Sequence, residues 1–414
     1  MAQVPIAVVG LGALFPGSVG VAGYWRTLVE GRDTVTDVPE HHWRLADYHD
    51  PDPKAEDRTY ARRGAFLPTV DFDSLAWGVP PNLVPATDTS QLLALIVARM
   101  VLDDAARGHG TPLDLSRASV ILGVTGAQEL FGTMVSRLQR PVWERSLRGM
   151  GLPESQVVEA CRRIAAHYVP WQEATFPGLL GNVVAGRIAN RLDLRGTNCV
   201  IDAACASSLG AVHLAINELA LGQSDLVVTG GVDTLNDILM HMCFSKTPAL
   251  SPSNDCRPFD ADSDGTLLGE GLGMLALKRL DDAERDGDAI YAVIRGLGSG
   301  SDGRSKSVYA PVSEGQARAL SAAYDAAGYG PDSVELLEAH GTATRAGDAA
   351  EVRGLTMVFG AASGGVAGTP PRLAPAGASS GARGEDASAA GGAEPGSASA
   401  GPRPRRPTPG GGRE

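Results

Sequence analysis

The five cysteines of this 414-residue chain form no recognisable pairs. Cys161, Cys199, Cys205, Cys243 and Cys256 are scattered, odd in number and never spaced as CxxC. That pattern argues against a disulfide framework and against a zinc site, and it fits a reducing cytoplasm. Basic residues are in deficit: 36 Lys and Arg stand against 48 Asp and Glu, a net charge of −12. So acidic a chain is not built to hold nucleic acid or an anionic membrane, although a local basic patch could still receive an acidic carrier protein. No run approaches the roughly 18 apolar residues of a membrane span. Met1–Gly17 is apolar but holds no Lys or Arg and is broken by glycines and Pro16, so it lacks the marks of a signal peptide. The last stretch, 360–414, has no aromatic residue, and Val366 and Leu373 are its only large aliphatics. Such a composition cannot offset its own ordering entropy, which predicts a disordered low-complexity tail.

What remains is ordinary globular material, 43% hydrophobic and 20% charged, enough for a substantial core. From Val4 to Phe359 strand-like and helix-like segments alternate, the pattern of an α/β fold. Apolar β-rich runs predict strands at Pro5–Val9, Ala118–Val124, Asn198–Ile201, Asp225–Thr229, Met274–Leu277, Ala289–Ile294 and Val334–Glu338. Helical periodicity covers Thr89–Ala106, Cys205–Leu221 and Ser313–Ala327. Tyr48–Gly64 is polar and turn-rich and reads as a surface excursion.

Cys205 falls where a buried strand at Asn198–Ile201 runs into a tight turn and a helix. Its neighbours Ala203, Ala204, Ala206, Ser207 and Ser208 are all small, as such a turn requires. A thiol at a helix start faces unpaired N–H groups and the positive end of the dipole, which favour the thiolate. A thiolate can take an acyl group from a thioester and hold it covalently. On spacing alone, a buried structural cysteine is the commoner fate. The other four cysteines have no comparable setting and read as inert.

The segment Asp202–Ser208 (DAACASS) resembles the active-site motif of β-ketoacyl synthases of the thiolase-fold superfamily, and Glu338–Thr344 (EAHGTAT) resembles their second motif. Between them, Phe244–Pro252 and Cys256–Gly271 are similar to further family segments, and the likeness runs from Pro5 to about Glu351. Asp37–Glu40, Tyr48–Lys54 and Arg63–Pro68 look most like the first ketosynthase of bacterial polyunsaturated fatty acid synthases, with related iterative type I polyketide synthases close behind. The resemblance implies a homodimeric five-layer αβαβα fold, with residues 1–280 as the nucleophile-bearing half and 281–359 as a partial C-terminal half. It implies an acyltransferase that performs decarboxylative Claisen condensation with malonyl-acyl carrier protein, its substrates carried on 4'-phosphopantetheine and no cofactor or metal bound. Cys205 would accept the growing chain, its backbone N–H serving as one oxyanion donor, and His340 would assist decarboxylation and steady the enolate. Thr342 and Thr344 match hydroxyls that bind the pantetheine arm. Phe244 matches an aromatic beside the acyl pocket, where an ordinary core phenylalanine fits nearly as well. Glu351 matches a carboxylate that pairs with a downstream lysine.

That lysine is absent, for no lysine follows Lys306, and no histidine follows His340. The family's second histidine motif and its glycine-rich closing segment, with the second oxyanion donor, have no counterpart either. Losing one such donor costs about 100- to 1000-fold in rate. The chain therefore reads either as a C-terminally truncated ketosynthase or as an inactive fragment that at most pairs with an intact synthase. The Ala, Gly, Pro and Arg of the tail are residues of GC-rich codons, which suggests an out-of-frame segment that translation of the other two frames after codon 351 would test. A decarboxylating relative would have replaced Cys205. Two segments imitate other motifs. Asp260, Asp262 and Asp264 mimic a calcium loop, but Gly271 stands at the twelfth place. Gly10–Phe15 mimics a dinucleotide fingerprint, yet Phe15 replaces the third glycine, so a strand-to-loop turn is expected.

Overall fold

The computed structural model describes residues 3–109, 112–125, 129–304, 310–362 and 372–375. The chain opens with β1 (Ile6–Phe15), β2 (Ser18–Val19), α1 (Gly20–Val29), β3 (Val35–Asp37), α2 (Leu45–Tyr48) and β4 (Arg63–Ala65). Next come α3 (Thr89–Gly108), β5 (Ala118–Val124), α4 (Glu129–Arg137), α5 (Arg140–Gly149), α6 (Glu154–Ala165), α7 (Thr175–Gly178) and α8 (Val183–Leu192). The middle continues with β6 (Asn198–Ile201), α9 (Ser207–Ala220), β7 (Leu226–Asp233), α10 (Ile238–Lys246), β8 (Leu268–Gly269), β9 (Gly271–Arg279), α11 (Leu280–Asp286) and β10 (Ala292–Ile294). It ends with α12 (Ser313–Ala327), β11 (Leu336–Ala339), α13 (Arg345–Ala362) and β12 (Arg372–Pro375). Contacts group the described residues up to Gly132 and from Gln172 onward into one unit, and Thr133–Trp171 into another.

In the larger unit the main sheet runs β10-β1-β9-β7-β5-β6, with β2 beside β1. β5 is parallel to β6 and β7, whereas β9 is antiparallel to β1 and β7. Side chains alternate across it, as a period of two requires. Ala7, Val9, Leu122 and Val228 join the cluster beneath α3 and α8, while Ile6, Val8, Ile121 and Val227 join the one beneath α9. A bulge between Val8 and Gly10 leaves the Leu11 amide to donate to Asp104 Oδ2 on α3 at 2.9 Å. A smaller sheet, β3-β4-β8, and the parallel pair β11–β12 complete the strands among the described residues. The arrangement is helix, sheet, helix for the first half, with α12, α13, β11 and β12 as a partial second half.

The smaller unit is a pair of amphipathic helices, α5 and α6. Val157, Cys161 and Ala165 are buried, Trp143 stacks on Tyr168 with centroids 6.0 Å apart, and Arg148 grips Glu154 through two hydrogen bonds.

Three sequence expectations change. Gly10–Phe15 is continuous strand, not a strand-to-loop turn; the turn comes at Pro16–Gly17. A Cβ on Gly10 would meet Val101 O at 2.6 Å, and one on Gly12 would meet Val97 O at 2.7 Å, so these glycines let α3 lie against β1. Tyr48–Gly64 is not wholly superficial, because Thr59, Tyr60 and Ala61 are buried and Tyr60 Oη donates to Leu250 O at 2.9 Å. Within 360–414, α13 continues to Ala362, as its alanines favour, and Arg372–Pro375 pairs with the open edge of β11. The rest of that expected tail lies outside the described residues.

Candidate active site

Two glycines set the position of Cys205. A Cβ on Gly123 of β5 would collide with the backbone of Ser207 and Ser208, and one on Gly231 of β7 would meet Ser208 Cβ at 2.9 Å. Their absence of side chains seats the first turn of α9 directly on the sheet. The helix begins at Ser207, so Cys205 occupies the turn before it rather than the helix itself. Ala204 adopts φ +50°, a left-handed conformation that costs an L-residue roughly 1–3 kcal/mol. Local hydrogen bonds hold it there. Asp202 Oδ1 accepts from the Ala204 amide at 3.0 Å, while Ser207 Oγ accepts from the Ala203 amide at 2.9 Å and donates to Ala204 O at 2.6 Å. The turn presents Cys205 as an exposed thiol.

His340 stands in the loop that leaves β11. Glu351, one turn into α13, accepts from the His340 amide at 2.7 Å and the Gly341 amide at 2.9 Å. It therefore fixes the loop that carries the imidazole, and does so without the lysine partner the family resemblance implied. Thr342 and Thr344 share a hydrogen bond of 2.9 Å between their hydroxyls, and Thr344 Oγ1 also accepts from the Gly347 amide. Phe244, on α10, packs against the cluster of Tyr60, Ala61 and Leu250.

Cys205 and His340 are brought together although 135 positions separate them in sequence. A hydrogen bond with His340 is the main cause that lowers the Cys205 pKa; burial opposes it, and the imidazole charge and the cysteine's own backbone amide add to it. The same bond is the main cause that raises His340, again against burial, with the charges of Cys205, Glu351 and Asp348 assisting. The two opposite shifts share one contact, which favours the deprotonated thiol and the protonated ring. By contrast, burial raises the thiols of Cys199 and Cys256, and Cys161 is buried within the smaller unit.

Sequence reasoning missed Asp348. It is buried, and its carboxylate accepts from the amides of Phe259 (2.7 Å) and Ala343 (3.1 Å) and from Ser263 Oγ (3.2 Å). Ser263 Oγ also donates to Ala343 O at 2.6 Å. Asp348 thus ties the His340 loop to the 257–263 segment. Its signal was present beside Glu351, but nothing in the sequence says which distant amides a carboxylate will meet. Asp264, one of the calcium-loop mimics, instead accepts from Ser251 Oγ at 2.6 Å.

Residues 3–283 match the family description "Beta-ketoacyl synthase, N-terminal domain", and residues 291–394 match "Beta-ketoacyl synthase, C-terminal domain". The second match carries the likeness past Glu351, where the motifs end. The chain is 41% identical over 359 residues to a polyunsaturated fatty acid synthase protein of Thraustochytrium sp., covering 87% of this chain and 13% of that protein. It is 35% identical to a phenolphthiocerol/phthiocerol polyketide synthase protein of Mycobacterium tuberculosis, covering 87% and 18%. The chain therefore spans less than a fifth of the length of these relatives. Among solved structures, a ketosynthase from module 6 of the bacillaene synthase of Bacillus subtilis superposes with a TM-score of 0.73 at 27% identity, over 91% of this chain and 57% of that one. An oxazolomycin ketosynthase domain from Streptomyces albus gives the same TM-score and identity over 90% and 61%. The fold is thus the thiolase-like α/β fold of ketosynthases.

Proposed function

Because the chain belongs to the β-ketoacyl synthase family, a family of condensing acyltransferases, we propose that Cys205 accepts an acyl chain from the phosphopantetheine arm of an acyl carrier protein and passes it to malonyl-carrier. The observation that carries this reading is the hydrogen-bonded contact of Cys205 with His340, which lowers the thiol and raises the imidazole. In the first step the thiolate attacks the thioester carbonyl. A new C–S bond forms, the old one breaks, and the departing pantetheine thiolate takes the proton of the His340 imidazolium. The Cys205 amide, which had steadied the thiolate, is then free to donate to the carbonyl oxygen. With the thiolate gone, burial favours neutral His340, whose N–H can meet the oxygen of the malonyl thioester as carbon dioxide leaves and the enolate forms. The enolate carbon attacks the acyl carbonyl, the new C–C bond displaces the Cys205 thiolate, and a solvent proton returns to His340.

Thr342 and Thr344, held to one another, offer hydroxyls for the pantetheine amides, and Phe244 borders the acyl chain. Glu351 positions the His340 loop. Residues 1–280 and 281–359 form the two halves of the domain. Homodimerisation is supported by the position of β6 at the end of the main sheet, where a second copy can continue the hydrogen-bond ladder. A cytoplasmic setting fits five free thiols. No helix among the described residues is long and apolar enough to cross a membrane.

The test is covalent labelling. The chain incubated with a radiolabelled acyl-carrier thioester should carry the label, and Cys205→Ala should not. Adding malonyl-carrier should then release a β-ketoacyl product. No label on the wild-type chain would overturn the reading; label without a new C–C bond would confine the chain to acylation, the role of a non-catalytic partner.

A further inference from the structure

α8 carries two arginines one turn apart, and both face a cavity of about 500 Å³ that includes neither Cys205 nor His340. The size lies within the range of small-molecule sites. Much of its wall is apolar, with Val79, Leu83, Pro177 and Val183, and the polar side is dominated by Arg187 and Arg191.

One buried side chain sets this geometry. Gln91 of α3 has no exposed surface, and its amide nitrogen donates to the carbonyls of Pro177 (2.9 Å), Gly178 (2.9 Å) and Leu180 (3.2 Å). Its oxygen accepts from Arg187 Nε at 2.9 Å. Gly178 has no room for a Cβ against Ala86 O, so the wall at α7 is as closely fixed as the guanidinium. With Nε bound to Gln91, the two terminal nitrogens of Arg187 have no hydrogen-bond partner among the described residues. Arg191 lies against the backbone of Gly78, where a Cβ would stand 3.0 Å from its Nη1. Glu173 shares the wall, yet no carboxylate among the described residues comes within ion-pair distance of either arginine. Burial, and then the charge of Arg191, hold Arg187 below its usual pKa. Two guanidiniums are thus kept close together, Arg187 partly out of water, without a counter-charge among the described residues.

A guanidinium fork matches a carboxylate or a phosphate. A small inorganic anion would answer the charge but leave the apolar wall bare. We propose that this cavity binds an anionic amphiphile, its carboxylate or phosphate head on Arg187 and Arg191 and its apolar chain along Val79, Leu83 and Val183. The inference is independent of the chemistry at Cys205.

Calorimetric titration of the full chain with decanoate, decyl phosphate, decanol and inorganic phosphate tests it. Decanoate or decyl phosphate should bind saturably, the better of the two identifying the head group, with decanol and inorganic phosphate at least about tenfold weaker. Arg187→Gln combined with Arg191→Gln should weaken the anionic amphiphile by about tenfold or more and leave decanol unchanged. Should that double variant not fold, Arg191→Gln alone, at an exposed residue, should still weaken binding severalfold while acyl labelling of Cys205 is unchanged. Absence of saturable binding by either amphiphile, or equal affinity in wild type and Arg191→Gln, would overturn the proposal.

Discussion

Cys205 and His340 each shift the proton affinity of the other, so the reactivity of the thiol is tied to pH through one contact. Replacing His340 by Ala removes the largest cause that lowers the thiol and leaves burial, which raises it. The midpoint of Cys205 alkylation against pH should therefore move upward. The rate with iodoacetamide at pH 7 should fall by about tenfold for every whole pH step by which the midpoint moves beyond 7. Cys243 is exposed as well, so the modified peptide must be identified by mass spectrometry. An unchanged midpoint in His340→Ala would show that the imidazole does not govern the thiol. The strand–turn–helix setting of Cys205 was legible in sequence because its small neighbours and the switch from strand to helix are local properties. The Ala204 conformation and the paired glycines Gly123 and Gly231 were not, since each depends on how closely α9 approaches a sheet assembled from distant strands.

At the level of elements, the strands and helices whose pattern is carried by apolar periodicity were legible almost to the residue: Ala118–Val124, Asn198–Ile201 and Ser313–Ala327 match β5, β6 and α12. Glycine misled the reading wherever it serves packing rather than turning. β7 runs on to Asp233 because Gly230, at φ +144°, lets β9 pass close to it. Gly12→Ala would place a methyl 2.6 Å from Val101 Cγ2 and should cost about 1–3 kcal/mol, seen as a lowered midpoint in urea unfolding at unchanged slope. The region around β4 and β8 joins two groups with opposite pH behaviour. Glu270, 3.7 Å from His42 and bonded to the Leu67 amide, is pushed up to about 7 mainly by burial. It holds its proton in the fold, so its contribution to stability is full below 4.5 and is lost as pH rises through about 7. His241, buried against Trp43, is pushed down to about 4, so its contribution is full above 6.5 and is lost as pH falls through about 4. The two slopes oppose each other between 4.5 and 6.5. Relative to wild type, Glu270→Gln should gain stability as pH rises over this window and His241→Gln should lose it, each by about 3 kcal/mol across the full range. Parallel stability curves for the three proteins would refute the assignment.

Within the larger unit, β10 pairs with β1 and Arg345 Nε donates to Ser263 O at 3.1 Å, and two further ties join stretches far apart in sequence. Gln3 supplies one tie: its amide donates to Ala326 O at 3.2 Å and its side chain accepts from the Leu297 amide at 2.9 Å. Asp348 supplies the other, bridging Phe259 and Ser263 to the Ala343 amide of the His340 loop. Asp348→Ala would leave the Phe259 and Ala343 amides short of their acceptor, at about 1–3 kcal/mol for each that finds no other, while Ser263 Oγ keeps its bond to Ala343 O. Hydrogen exchange should then quicken at 259–263 and at 340–344 together, though the two stretches are some eighty residues apart. If the bridge positions the imidazole, Cys205 in this variant should also lose part of its thiolate character, with an alkylation profile shifted toward that of His340→Ala. Faster exchange at both stretches with an unshifted Cys205 profile would make Asp348 a purely structural tie, and the placing of the imidazole would then fall to Glu351, bound to the His340 and Gly341 amides.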